Sequence, residues 1–309
     1  MANTENSLLV EKYRPKTLNN YVGNENIKKS ISAYLNQNDI QNFIFYGPAG
    51  TGKTTLAKII VNTLDCDHLY INASDERGIE TIRDKVSSFA SVASFKPLKV
   101  VILDEADFLT IQAQASLRNI IETFSRTTRF IMTCNFVERI IDPLQSRCQV
   151  LKIVPPTKKD VAKHLNWILQ QESIKHNIND LVPLVNQYYP DLRKCINTIQ
   201  LSTQGGILEL DQSILISSNY IDKVINALSE GSKHNKIDCY NDIRQIIADA
   251  NVDDFDELFK ILYERASEYL PNKEGTVAIL INEHQYKSNF RIDKEINTMS
   301  LIQNLINNK

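Results

Sequence analysis

The octapeptide Gly47-Pro48-Ala49-Gly50-Thr51-Gly52-Lys53-Thr54 lies between the apolar tetrapeptide Phe43-Ile44-Phe45-Tyr46 and a stretch carrying Leu56, Ile59 and Ile60 at helical spacing. Every fixed position of G-x-x-x-x-G-K-[ST] is met. The strand, loop and helix order around it restricts this region to an α/β architecture with the loop at the carboxyl end of a strand. The physics is that of anion capture. Glycine lets the backbone turn tightly enough to aim several N–H groups at phosphate oxygens, and the following helix adds the positive end of its dipole. Residues 47–55 (Gly47, Pro48, Ala49, Gly50, Thr51, Gly52, Lys53, Thr54, Thr55) are expected to cradle a nucleotide's phosphates. In that cradle Lys53 reaches the β- and γ-phosphates and Thr54 sits on Mg²⁺.

Further apolar runs at 69–71, 100–103, 130–134 and 150–153 alternate with helical patterns, one of them Ala113, Leu117, Ile120, Ile121 and Phe124. Strands alternating with helices predict a parallel five-stranded sheet covered on both faces. Pro155-Pro156 then stops the last strand, and Thr157 is placed to cap a helix bearing Val161, Leu165, Ile168 and Leu169. Beyond it Gly205-Gly206 marks a loop and the rest reads as helices, with apolar residues at 243, 246, 247 and 250, at 255, 258, 259 and 262, and at 296, 299, 302, 305 and 306. The expected division is 1–154 for the α/β domain, 155–217 for a small helical domain and 218–309 for an all-α domain.

Val100-Val101-Ile102-Leu103-Asp104-Glu105 is a buried strand ending in two acids, the complement a phosphate loop needs. Asp104 is expected in the Mg²⁺ shell and Glu105 as the group that polarises an attacking water. Asn135, after the strand at 130–134, serves either as a turn former before Phe136 or as an amide hydrogen-bonding the γ-phosphate or the water. Its position relative to the acids favours the second role. Asp104-Glu105-Ala106-Asp107 also spells a helicase tetrapeptide, but no Ser-Ala-Thr motif follows.

A net charge of −2 supplies no global attraction for nucleic acid, so any DNA contact must come from a locally basic surface. Five cysteines at irregular spacing fit neither a disulfide framework nor a zinc ligand set, and no apolar run approaches the ~20 residues of a membrane span. The first ten residues lack the apolar core of a signal peptide, which leads to the expectation of a cytoplasmic location, in the host cell for a viral protein, or a nuclear one in a eukaryote.

The segments Val10-Glu11-Lys12-Tyr13-Arg14-Pro15-Lys16-Thr17-Leu18, Val22-Gly23-Asn24-Glu25, the phosphate loop, Asn72-Ala73-Ser74-Asp75-Glu76-Arg77-Gly78-Ile79, the acids at 104–107, Thr128-Arg129-Phe130, Asn135 and Gln145-Ser146-Arg147-Cys148 together resemble small subunits of sliding-clamp loaders of the replication factor C type, within the AAA+ ATPases. The similarity is nearly continuous from residue 8 to 153. Ser88-Phe89-Ala90-Ser91-Val92-Ala93-Ser94-Phe95 is similar to the corresponding stretch of bacteriophage loaders.

The resemblance implies an AAA+ domain, a lid and a helical collar that holds an oligomer together. It implies hydrolysis of ATP with Mg²⁺ to open and load a ring-shaped clamp onto primer-template DNA. The implied partners are the clamp, DNA contacted through its phosphate backbone, other copies of the chain, a distinct fifth subunit and, indirectly, the polymerase holoenzyme, with no membrane. It makes Arg147 an arginine finger acting on a neighbouring subunit's site, with Arg118 as a second trans-acting contact. Arg193 would reach the γ-phosphate from the lid, with Lys194 as the rival cation. Val10, Lys12, Tyr13 and Val22 would surround the adenine. Arg77, Gly78 and Ile79 at one helix start, Thr110 and Gln112 at another, and Arg83 would track DNA phosphates; a solvated basic face is the competing reading of Arg83. Two alternatives are another AAA+ DNA motor, such as a helicase or branch-migration enzyme, and a non-hydrolysing scaffold subunit, which would be expected to lack Lys53, Glu105 or Arg147.

Overall fold

A computed structural model describes residues 8–210, 220–230, 235–250, 252, 255–288 and 293–308. The chain forms two compact units, residues 1–181 with 188–208 and residues 182–187 with 209–309.

In the first unit five strands, β1 (Phe43–Tyr46), β2 (Cys66–Asn72), β3 (Leu98–Asp104), β4 (Thr128–Cys134) and β5 (Gln149–Lys152), make one parallel sheet in the order β2-β3-β4-β1-β5. Every pairing is parallel, as the alternation of apolar runs with helices requires. The three central strands β1, β3 and β4 are buried on both faces because both are covered, whereas the edge strands β2 and β5 alternate more buried with exposed residues. Phe43 and Phe45 join one buried cluster with Leu56, Ile60, Val100 and Ile102, while Ile44 points to the other with Val101, Leu103, Leu117 and Phe130.

The register brings three loops to one edge. Asn72 pairs with Asp104, Leu103 with Met132, and Tyr46 with Cys134, so the phosphate loop, the two acids and Asn135 all leave the sheet at its carboxyl end. The phosphate loop then feeds the helix Lys53–Thr63. Thr110 and Thr157 cap their helices as expected, each side chain accepting from the amide three residues on (Ala113 and Asp160, both 3.2 Å).

Two helices, Lys158–Gln171 and Leu192–Leu201, belong to the same unit and supply residues to the cleft described below. Beyond the helix Lys158–Gln171 the sequence reads as helices and loops, and the structure departs from that in one place. Thr203–Gln204 and Ile207–Leu208 pair antiparallel around Gly205 and Gly206, both at positive φ (57° and 81°). Strands of two residues are too short to show alternation.

The second unit is helical, with helices Tyr220–Glu230, Lys236–Ala250, Asp256–Glu264, Ala266–Tyr269, Glu274–Ser288 and Lys294–Asn307 around a core of its own that includes Val224, Ile243, Phe259, Leu262 and Ile302. Among the described residues no helix is long and apolar enough to cross a membrane.

Candidate nucleotide-binding site

The phosphate loop is shaped by its glycines. Gly47 has φ of 148°, and a Cβ there would lie 2.4 Å from the Ile153 carbonyl oxygen, so the close pass of loop against strand end admits no side chain. Gly52, at φ 91°, is closed over by the Tyr21 ring, whose hydroxyl donates to the Thr51 carbonyl (3.2 Å). Upstream, Asn24 and Val154 exchange two hydrogen bonds (2.8 and 2.9 Å) and pin the Val22-Gly23-Asn24 turn to the end of β5.

Lys53 is buried, and its ammonium donates to the carbonyls of Gly47 and Pro48 and to Asn135 Oδ1, each at 2.8 Å. Burial depresses its pKa, with the Arg193 charge acting in the same direction and Asp104 and Asp107 against it. The Thr54 hydroxyl donates to Asp104 Oδ1 at 2.7 Å, and the hydroxyls of Tyr70 (2.7 Å, to Oδ2) and Thr133 donate to the same carboxylate. Three hydroxyl donors fix the orientation of Asp104 at the end of β3. Glu105 follows in a left-handed conformation (φ 56°, ψ 42°), with its amide donating to Thr133 Oγ1 (3.2 Å), and this turn brings it to the cleft wall.

A single cleft joins these groups. It is lined by Ala49 to Thr55, Asp104, Glu105 and Asn135; by Val10, Tyr13, Tyr21 and Val22; and by His164, Leu192, Arg193 and Ile196 from the two helices. Most of the expected ligand-facing residues are therefore together. Lys12 is the exception among the four expected around a base: its ammonium lies 2.6 Å from Glu172 and does not line the cleft. Of the two rival cations, Arg193 lines the cleft and Lys194 does not. Asp191 caps its helix, accepting from the amides of Arg193 (3.0 Å) and Lys194 (3.1 Å).

Arg147 and Arg118 are not in this cleft. Arg147 Nε donates to Glu122 Oε1 (2.7 Å), a second guanidinium nitrogen binds the same oxygen, and a third donates to the Pro143 carbonyl (2.7 Å). Arg118 lies one turn from Glu122 on the helix Ile111–Thr123 and donates to Asn119 Oδ1 (3.0 Å). Arg77, Arg83, Thr110 and Gln112 are exposed. The Arg77 carbonyl accepts from the Thr110 amide (3.2 Å), so the two helix starts are neighbours; the first helix is short, Ile79–Thr81, and continues as a wider turn over Ile82–Val86.

Several site residues were not legible from motifs. Asp107, weighed only as the last letter of a tetrapeptide, is buried, and its Oδ2 accepts from the amides of Asn135 (3.2 Å) and Phe136 (3.3 Å). Tyr70 and Thr133 had one available signal, namely strand alternation: Tyr70 lies two residues before Asn72 on β2, and Thr133 follows the residue that pairs with Leu103. His164 and Ile196 carried none, since they reach the cleft from helices far along the chain.

Residues 43–156 match the family described as "ATPase family associated with various cellular activities (AAA)". The chain is 34% identical to the replication factor C small subunit of Thermofilum pendens over 311 residues, 96% of each chain. It is 43% identical to that of Haloarcula marismortui over 204 residues, a match covering 64% of this chain but 62% of the relative. In structure it is similar to the RuvB Holliday junction branch migration motor of Thermotoga maritima, with a TM-score of 0.57 at 18% identity, over 73% of this chain and 80% of that one. At that identity the likeness is one of fold.

Proposed function

The chain belongs to the replication factor C small subunit family, and from that premise we propose that it is an ATP-hydrolysing subunit of a loader that opens a sliding clamp and places it on primer-template DNA. One observation carries the reading. Lys53, Thr54, Asp104, Glu105, Asn135 and Arg193 share one cleft, while Arg147, the further cation such a site needs, lies outside it. Such a site is completed by another copy of the chain.

The donor set suits ATP with Mg²⁺. The Thr54 hydroxyl and Asp104 carboxylate are hard oxygen donors 2.7 Å apart, and the buried Lys53 ammonium is held by neutral oxygens that an anion can replace. Thr54 and Asp104 would hold Mg²⁺, which, when bound, neutralises charge on the phosphates. Lys53 binds phosphate oxygens, and the backbone of residues 47–54 wraps them. Glu105 takes the proton from the attacking water, and Asn135, tied to Lys53, orients that water or the γ-phosphate. Arg193 contributes charge from the lid of the same chain, and Arg147 charge from a neighbour. Val10, Tyr13 and Val22 form an aromatic and aliphatic wall suited to a flat base.

In this reading residues 1–154, 155–217 and 218–309 act as ATPase domain, lid and oligomerising collar, with a distinct fifth subunit completing the assembly. The adjoining helix starts at Gly78 and Thr110, with exposed Arg77, Arg83 and Gln112, are proposed to follow DNA phosphates without reading sequence.

The test is the ATPase rate of the assembled complex with primed DNA and a sliding clamp, for wild type and Arg147→Ala. Stimulation by both in wild type is expected, with a loss of about 10³-fold in the variant while ATP binding persists. Equal turnover would remove Arg147 from the site, and indifference to the clamp would overturn the loader reading.

A further inference from the structure

Resting on the nucleotide-binding reading above, we propose that Glu172 is a positioning residue for the base-binding segment: it fastens Tyr13 to the helical lid, so that affinity for ATP depends on it and the chemical step does not. The Tyr13 hydroxyl donates to Glu172 Oε1 at 2.5 Å, and the Lys12 ammonium lies 2.6 Å from the same oxygen. Two donors from consecutive residues on one carboxylate oxygen fix the segment in both position and rotation. Glu172 in turn is held at the end of the helix Lys158–Gln171, its amide donating to the Ile168 carbonyl (3.0 Å).

The rings repeat the attachment. Tyr13 meets Trp167 edge-on, with centroids 5.4 Å apart and planes at 85°, and Trp167 stacks on His164 at 5.7 Å. His164 and Tyr13 both line the cleft. A further tie runs from the Leu9 amide to Gln200 Oε1 (2.9 Å), on the helix that carries Arg193 and Ile196. Residues 9–13 are thus attached to both lid helices, and the wall they give the cleft follows those helices.

A carboxylate is the right group for this task. A phenol donating to an ionised acceptor makes a short, directional, charge-assisted bond, whereas an ammonium pair with half the lysine side chain in solvent is screened and weak. The tyrosine bond is the one that fixes the ring lining the cleft. Burial pushes the Tyr13 phenol up to about 12, reinforced by Glu172, so it remains a donor at physiological pH. Burial would raise Glu172, but the bonds from Lys12 and Tyr13 outweigh it and hold the carboxyl below its usual range, so it remains an acceptor.

Trp167 is the sole tryptophan of the sequence, which puts an intrinsic fluorophore at this junction. The experiment is titration of the full chain with ATP, followed by calorimetry and by Trp167 emission, together with KM and kcat of the assembled complex, for wild type, Glu172→Ala and Glu172→Gln. Wild type is expected to bind with a change in Trp167 emission. Glu172→Ala should bind about tenfold more weakly, lose the emission change and raise KM by the same factor, with kcat within twofold. Glu172→Gln keeps an acceptor oxygen for Tyr13 and should recover affinity to within about threefold of wild type. Wild-type affinity in Glu172→Ala, a fall in kcat at unchanged KM, or no recovery with glutamine would overturn the proposal. A wild-type chain that binds no ATP would overturn the nucleotide reading itself, an outcome distinct from a defect confined to the variants.

Discussion

The guanidinium of Arg147 is closed on the carboxylate of Glu122, through Nε at 2.7 Å and a second nitrogen, on a surface separate from the cleft that holds Lys53. If Arg147 serves a neighbour's cleft, Lys53 and Arg147 of one chain belong to different sites.

That separation predicts complementation between two inactive variants. Lys53→Ala and Arg147→Ala assemblies should each be inactive. A random 1:1 mixture should recover about a quarter of wild-type sites, because a chain with intact Lys53 can then sit beside a chain with intact Arg147. ATPase assays on co-assembled complexes check this, and no recovery at any mixing ratio would place both residues in one site.

Glu122 should matter little for the fold. Its ion pair with Arg147 is roughly one-third to one-half exposed, so Glu122→Ala is expected to change unfolding free energy by less than about 1 kcal/mol. Denaturant unfolding of the full chain measures it, and a loss of several kcal/mol would show that the pair has a structural role.

Two glycines should respond very differently to the same substitution. Gly47→Ala drives a Cβ to 2.4 Å from the Ile153 carbonyl at φ 148°, and is expected to cost about 2–4 kcal/mol and to abolish ATP binding. Gly78→Ala meets nothing within 4 Å and has an ordinary φ of −81°, so its stability should stay within about 0.5 kcal/mol of wild type. Equal effects of the two, read from unfolding curves, would contradict the loop geometry.

Asp107 should act on the site without touching ligand. Asp107→Ala leaves the amides of Asn135 and Phe136 without their carboxylate acceptor, a cost of about 1–3 kcal/mol. It also frees the residue that holds Lys53, so ATP affinity should fall alongside stability. Asp107→Asn, which keeps one acceptor oxygen, should be milder in both measurements. A variant that loses stability while binding ATP normally would disconnect Asp107 from the site.

Alkaline conditions should weaken the fold through its thiols. Burial raises Cys134, Cys148 and Cys195 from 9.0 to about 12, and Cys66 to about 11. Below pH 9 the thiols are neutral in both folded and unfolded chains. Above it the unfolded chain releases protons that the folded chain keeps, so stability declines from pH 9 towards 12, by up to about 1.4 kcal/mol per thiol per pH unit. Denaturation midpoints at pH 8 and pH 10 test this. Replacing Cys195 by alanine should flatten the slope, and an unchanged slope would contradict the burial effect.

Much of the sheet domain was legible because its signals are local. The run 43–46 is β1 to the residue, Thr110 and Thr157 are caps, and the phosphate loop and terminal acids follow from spacing alone. What could not be read was the order β2-β3-β4-β1-β5, which depends on packing between segments far apart in sequence. The same holds for Asp107, Tyr70 and Thr133, whose roles arise from strand register and burial.

The sequence by itself determined that this chain carries a phosphate loop and an acid pair, because glycine conformation, helix dipoles and apolar runs act over a few residues. Only the tertiary structure decided that Arg193 lines the cleft and Lys194 does not, that Lys12 turns to Glu172, and that Arg147 stands apart on Glu122. Each of those is a choice between cations of nearly equal local propensity. It is settled by which carboxylate or cavity the folded chain brings within about 3 Å, and a one-dimensional pattern holds no record of that distance.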